Sequence, residues 1–223
     1  MRVAGTHVRV EPTRLFSDRT DNYVRFVRFV RYPEAIRAYF LRSPLLRSGL
    51  RVLDAGCGTG VVTLAFREAL QQRRLEPGLS QGFDLTPAML DRFRVTLRKR
   101  SIQDVELAQA NVLELSQLPS SWRSYDLIIS ASMLEYLPRT RLSSGLNGLR
   151  SLLAPGGNLV VFITRRNAMT RPLIGHWWQS NLYKKGELEH AFLEAGFASF
   201  EFGHFPLLYR HFGLWGHIVV AQR

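Results

Sequence analysis

Cysteine is nearly absent: Cys57 stands alone in 223 residues, which excludes an internal disulfide and agrees with a reducing compartment. Long apolar runs are absent too, none nearing the roughly eighteen residues of a membrane span. The N-terminal "MRVAGTHVRVEPTRLF" has no apolar stretch of the kind a secretory leader carries. A soluble, cytoplasmic protein is therefore expected. Acids are scarce, 18 against 30 lysines and arginines, for a net charge of +12. The imbalance is uneven, because the first 50 residues hold ten arginines against four acids, Glu11, Asp18, Asp21 and Glu34. Such asymmetry fits nucleic acid, an anionic membrane surface, acidic substrates, or a solvated arginine-rich face. His7, His176, His190, His204, His211 and His217 show no close ligand pairing, so no metal site is expected.

With 46% hydrophobic residues the chain can bury one sizeable core, and it divides into an appendage, residues 1–48, and a main domain, residues 49–223. In the appendage, "DRTDNYVRFVRFVRYPEAIRAYFLR" reads as helical, with Pro33 starting a second helix. Arg25, Arg28 and Arg31 recur every third residue beside Tyr23, Phe26, Phe29 and Tyr32, giving a basic stripe next to an aromatic one. From Leu50 onward, strand-length apolar runs ("LRVLDAG", "LSQGFDLT", "DVELAQANV", "YDLIISAS", "GNLVVFIT") alternate with helical periodicity. Thr86 and Pro87 open one such helix as N-cap and first residue. The alternation predicts an α/β fold, a mostly parallel sheet with helices on both faces. "FASFEFGHF" and "WGHIVVAQR" are expected to add an antiparallel hairpin at the end, for seven strands.

The stretch "RVLDAGCGTG" is a strand, a tight turn and a helix start. Gly60 is followed by Val61 and Val62, not by the lysine and hydroxyl residue of a triphosphate-binding loop. Its glycines run G-x-G-x-G, which is not a dinucleotide fingerprint either. Asp54, just before the turn, would repel pyrophosphate and favour an ammonium or sulfonium group. Asp84 follows Gly60 by twenty-four residues, near the spacing at which an acid accepts hydrogen bonds from ribose hydroxyls. A nucleoside with a cationic amino-acid tail satisfies both.

At this point the sequence resembles the class I S-adenosylmethionine-dependent methyltransferases, in their small-molecule, quinone-biosynthesis-like branch. "VLDAGCGTG" is similar to their first motif and "GFDLT" to the acidic second. "AQANVLEL", "YDLIISASMLEYL" and "LLAPGGNLVVF" resemble the third, fourth and fifth, in the right order. The resemblance implies a Rossmann-like domain under an N-terminal helical cap, and S-adenosyl-L-methionine as cofactor. It further implies that Asp54, Ala55, Gly56, Cys57, Gly58 and Gly60 form the turn along the methionine portion. Asp84 and Leu85 would meet the ribose, Asn111 and Val112 the adenine, and Ser130 and Ala131 the reacting end. "LFSDRTDNY" resembles the lead-in of small-molecule members, which puts Tyr23 over the cofactor.

Methyl transfer from a sulfonium needs alignment and exclusion of water more than it needs a base. Should the acceptor be a hydroxyl, Glu135, Tyr136, His176 and Tyr183 are the candidates to take its proton. Trp177 and Trp178 belong to the variable segment after the fifth strand, which with the N-terminal cap is expected to close over an apolar acceptor. The Arg25/Arg28/Arg31 helix would suit an anionic membrane surface and a lipid-like acceptor, or a phosphate backbone. Against nucleic acid, "SASM" stands where members that methylate exocyclic base amines carry N-P-P-Y. A nucleic-acid methyltransferase and a catalytically silent cofactor-binding partner subunit remain as alternatives, and oligomeric state is left open.

Overall fold

A computed structural model describes residues 25, 27, 29–168, 170 and 180–223. The expectations placed on Tyr23, Phe26, Arg28, His176, Trp177 and Trp178 lie outside these residues.

Seven strands form one sheet: β1 (Val52–Ala55), β2 (Ser80–Asp84), β3 (Val105–Gln109), β4 (Tyr125–Ala131), β5 (Leu153–Thr164), β6 (Ser199–Gly203) and β7 (Gly216–Gln222). Their order is β3-β2-β1-β4-β5-β7-β6. The first five run parallel, and β7 is antiparallel to both of its neighbours. The fold is thus the Rossmann-like one that the alternation of strands and helices predicts. β6 and β7 do pair antiparallel, but β7 inserts between β5 and β6. The connection between them, residues 204–215, carries a 3-10 segment at Leu207–Leu214 in place of a tight turn.

The apolar runs form these strands because they can be buried on both faces. Along β5, Leu159, Val161 and Ile163 enter one core and Val160 and Phe162 the other, as the two-residue strand period requires. Among the described residues, five helices with both ends placed cover the sheet: α1 (Tyr32–Arg42), α2 (Val61–Gln72), α3 (Pro87–Lys99), α4 (Leu142–Leu152) and α5 (Lys185–Glu194). None of the described helices is long and apolar enough to cross a membrane.

Pro33 does open a new helix. Arg31, at φ 59°, takes the left-handed conformation that separates α1 from the helical residues before it, and Pro33 stands in the first turn. Ala35, Ile36, Tyr39 and Phe40 of α1 are buried in the same core as α2 residues and Phe162. Thr86 occupies the N-cap position of α3 but makes no side-chain cap bond. The Asp84 carboxylate accepts the Thr86 N–H in its place, at 2.8 Å.

Because β1 lies between β2 and β4, the strand order reverses at its C-terminal end. A parallel α/β sheet presents its ligand crevice at such a switch point.

Candidate active site

The turn after β1 is built by backbone. The N–H groups of Gly56 and Cys57 both donate to the Phe83 carbonyl, at 2.8 and 2.9 Å, which ties the loop to the end of β2. Gly60 sits at φ 85°, where a Cβ would fall 2.1 Å from the Phe93 ring, so only glycine lets α2 begin there. Gly58, at φ 52°, is different: a Cβ there would meet nothing within 4 Å. Its N–H donates to Asp84 Oδ2 at 2.9 Å. Burial raises the Asp84 pKa, and the N–H groups of Thr86 and Gly58 act the other way.

Between this loop, the end of β2 and the end of β4 lies a cavity of about 120 Å³. Gly56, Gly58, Asp84, Leu85, Asn111, Val112 and Ala131 line it, all expected from the sequence. Phe83, Met89, Ala110, Met133 and Leu137 line it too, none of them expected there from the sequence, and so does Thr86, expected only as a helix cap. Met89 is readable in hindsight, one turn into the helix that follows Asp84. Met133 is not, since nothing in "SASM" says which side chain turns inward.

Asp54, Ala55, Cys57, Gly60 and Ser130 do not line the cavity. Asp54 is buried, and its Oδ2 accepts the N–H and the hydroxyl of Thr63, at 3.1 and 2.6 Å. Oδ2 is thus spent on the first turn of α2, Oδ1 has no hydrogen-bond partner among the described residues, and burial pushes the pKa up to about 7. Burial, then Asp54 and Asp84, push the Cys57 thiol well above its usual range, leaving a small inert side chain packed beside Gly82. Asn111 lies on the cavity wall, but its side-chain oxygen accepts the Leu113 N–H at 3.0 Å, leaving one lone pair to offer a ligand.

A second, larger cavity of about 290 Å³ adjoins the first, and Ser132 and Tyr136 border both. Its wall is mostly apolar: Val27, Val30 and Tyr32 from the N-terminal side, Phe162 and Ile163 from β5, Phe205, Phe212 and Trp215 from the connection before β7. Its titratable members besides the tyrosines are Glu135, His211 and His217. Glu135 is buried, and burial pushes its carboxyl up to about 7 against the opposing bond from the Thr164 hydroxyl, 2.6 Å from Oε1. Oε2 has no hydrogen-bond partner among the described residues. His217 approaches the Tyr183 carbonyl at 3.3 Å, and burial followed by Arg165 lowers its pKa.

Of the expected proton acceptors, Glu135 and Tyr136 reach this cavity. Tyr183 lines neither cavity: its ring is buried in the core with the Arg139 guanidinium 4.8 Å from its centroid. His211 and His217 are the histidines on this wall among the described residues, and no local sequence signal places them there. Only the pairing of β7 with β5 brings His217 beside Ile163.

The cavity at the switch point offers the groups that a nucleoside would meet. Gly58 opens on empty space where a side chain would intrude, Asp84 supplies a carboxylate, and Asn111 an amide. A family model described as a methyltransferase domain matches residues 46–209. The chain belongs to the class I S-adenosylmethionine-dependent methyltransferases. This methyltransferase is 26% identical over 156 residues to the ubiquinone biosynthesis O-methyltransferase of Marinobacter nauticus, with 69% of this chain and 61% of that one covered. It is 30% identical over 151 residues to highly reducing polyketide synthase 40 of Fusarium pseudograminearum, covering 64% of this chain. The methyltransferase thus spans about three fifths of the former's length and 6% of the latter's. Magnesium protoporphyrin IX methyltransferase from Synechocystis superposes with a TM-score of 0.66 at 17% identity, covering 98% of this chain and all of that one, which shows a shared fold.

Proposed function

We propose that the protein transfers a methyl group from S-adenosylmethionine, held in the smaller cavity, to a small apolar organic acceptor seated in the larger. The observation that carries this reading is the common wall: Ser132 and Tyr136 border both cavities, so donor and acceptor would meet there with no intervening layer. The bound cofactor supplies an electrophilic methyl, whose bond electrons stay on sulfur when the acceptor's electron pair takes the carbon.

The chain's own residues bind, align and dry the site. Gly58 lets the ligand approach the backbone, and its N–H is held in place by Asp84. Asp84 is held by the Gly58 and Thr86 N–H groups, one on each oxygen, and stands on the cavity wall where a ribose hydroxyl would meet it. Val27, Val30 and Tyr32 support the reading of residues 1–48 as a cap, since they close one side of the acceptor cavity. Aromatic walls exclude water, which favours in-line displacement over loss of the methyl to solvent.

Calorimetric titration with S-adenosylmethionine and S-adenosylhomocysteine is the first test, followed by labelled-methyl transfer to small aromatic acceptors and to total RNA. Micromolar binding and label in the aromatic fraction are expected. Label in RNA alone would replace the small acceptor with a nucleic acid. Binding without transfer to any acceptor would favour a silent partner subunit.

A further inference from the structure

We propose that the outer side of the 3-10 segment Leu207–Leu214 docks the protein on an anionic lipid bilayer, so that a wall of the acceptor cavity lies against lipid. The docking stands on surface chemistry alone, whereas delivery of a lipid-soluble acceptor to that cavity rests on the function proposed above.

Among the described residues, large apolar side chains are exposed singly on α3, at Val95, and on α5, at Leu193, as scattered surface residues commonly are. The segment before β7 is different, because it exposes three together: Leu207 at 77%, Leu208 at 76% and Leu214 at 51%. Its inner side explains the division. Phe205, Tyr209 and Phe212 are buried and anchor it to α1, with the Phe212 ring 5.7 Å from Tyr32 and the Phe205 ring 6.4 Å from Tyr39. The leucines between these anchors face outward, where polar side chains would serve the fold equally well. Their hydrocarbon there marks a surface that meets an apolar partner. The neighbouring segment repeats the pattern: Val27 and Val30 line the acceptor cavity with Phe212, while Phe29 is 87% exposed.

Charge selects anionic lipid as the occupant. Residues 202–223 contain no acid, and Arg210 is exposed between the leucines. Arg42 at the end of α1 and Leu45 just after it share a groove with Leu207 and Arg210, in which Glu201 is the one acid. Arg25 and Arg31 are exposed on the neighbouring segment, with Glu34 3.8 Å from Arg31. Leucines flanked by arginines match a bilayer with negative headgroups, since the leucines enter the acyl boundary while the guanidinium groups stay among phosphates. The same segment lines the acceptor cavity with Phe212 and Trp215, so docking it sets that cavity against the bilayer. An apolar acceptor would then pass from hydrocarbon to an aromatic wall without the cost of entering water.

Co-sedimentation of the full chain with vesicles tests this, using phosphatidylcholine alone and phosphatidylcholine with about 30% phosphatidylserine, at about 0.1 M salt. Binding to the anionic vesicles should be at least about tenfold tighter than to the neutral ones and should weaken at about 0.5 M salt. Leu207→Ser combined with Leu208→Ser should weaken it at least about tenfold, and Arg210→Ala about fivefold. Leu193→Ser removes exposed hydrocarbon from α5 and should leave it unchanged, which separates this surface from general stickiness. None of these four side chains lines either cavity, so S-adenosylhomocysteine binding by calorimetry should match the parent in every variant and serves as the check of folding. Equal binding to the two kinds of vesicle, binding to neither, or binding that survives the double leucine variant would each overturn the proposal. So would a dimer in sedimentation velocity that the double variant dissociates, because the surface would then belong to a second copy of the chain. Absence of S-adenosylhomocysteine binding in the folded parent would overturn the methyltransferase site and leave the vesicle docking standing.

Discussion

Asp84 is asked to do two things at once, and substitution separates them. Its oxygens accept the Gly58 and Thr86 N–H groups, at 2.9 and 2.8 Å, while its place on the cavity wall is the ground for proposing it as the ribose acceptor. Asp84→Ala should weaken S-adenosylhomocysteine binding by about 2 to 4 kcal/mol, from paired bonds to a charged acceptor. Unchanged affinity by calorimetry would remove Asp84 from the site. The glycines offer a sharper contrast. Gly60→Ala places a methyl 2.1 Å from Phe93 at φ 85°, so it should cost about 2 to 4 kcal/mol of stability in urea denaturation. Gly58→Ala pays only the left-handed strain, about 1 to 2 kcal/mol, since its Cβ meets no protein atom. It should lower cofactor affinity more than stability, because that methyl enters the space the ligand needs. Residue types and spacing made Gly58 and Asp84 legible in the sequence. The fate of Asp54 was not legible: whether a carboxylate at a strand end faces a ligand or turns back to Thr63 depends on where α2 packs, which local sequence does not encode.

Among the elements, α1 shows how a peripheral helix is tied to the site. Phe40 is fully buried, edge-on to Phe66 of α2 at 5.0 Å, and its neighbour Tyr39 packs against Phe162 at 5.3 Å. Phe162 in turn lines the acceptor cavity. Phe40→Ala should therefore cost about 3 to 5 kcal/mol in urea denaturation, and acceptor binding should weaken more than cofactor binding, since the cofactor cavity shares no residue with this cluster's aromatic rings. Equal loss of both would mean that α1 supports the fold without shaping the acceptor side. The start of α1 was readable from Pro33, and the strands from their apolar runs, because both signals are local. The insertion of β7 between β5 and β6 was not, since two short strands near the end of a chain pair equally well in either order by pattern alone. That insertion is what delivers His217 to the cavity, and so a local reading missed it.

Over the whole molecule, two buried carboxyls leave a signature in stability against pH. Asp54 and Glu135 are both pushed up to about 7 by burial, whereas in the unfolded chain each titrates near 4. Between those values the folded state binds more protons than the unfolded state, so stability falls as pH rises and the loss is complete above the folded value. From about pH 6 to about pH 8 each group should remove about 1 kcal/mol, on the scale of 1.4 kcal/mol per unit of difference. His217 opposes them: its lowered pKa means the unfolded state holds its proton longer, which adds stability as pH rises through the usual histidine range. The urea midpoint should thus be higher at pH 6 than at pH 8, and His217→Gln should steepen the fall. Asp54→Asn and Glu135→Gln should each flatten it, with effects that add, because one carboxyl is held by Thr63 in the first turn of α2 and the other by Thr164 on β5. A flat profile in the parent protein would mean that both carboxyls reach water more readily than their packing implies.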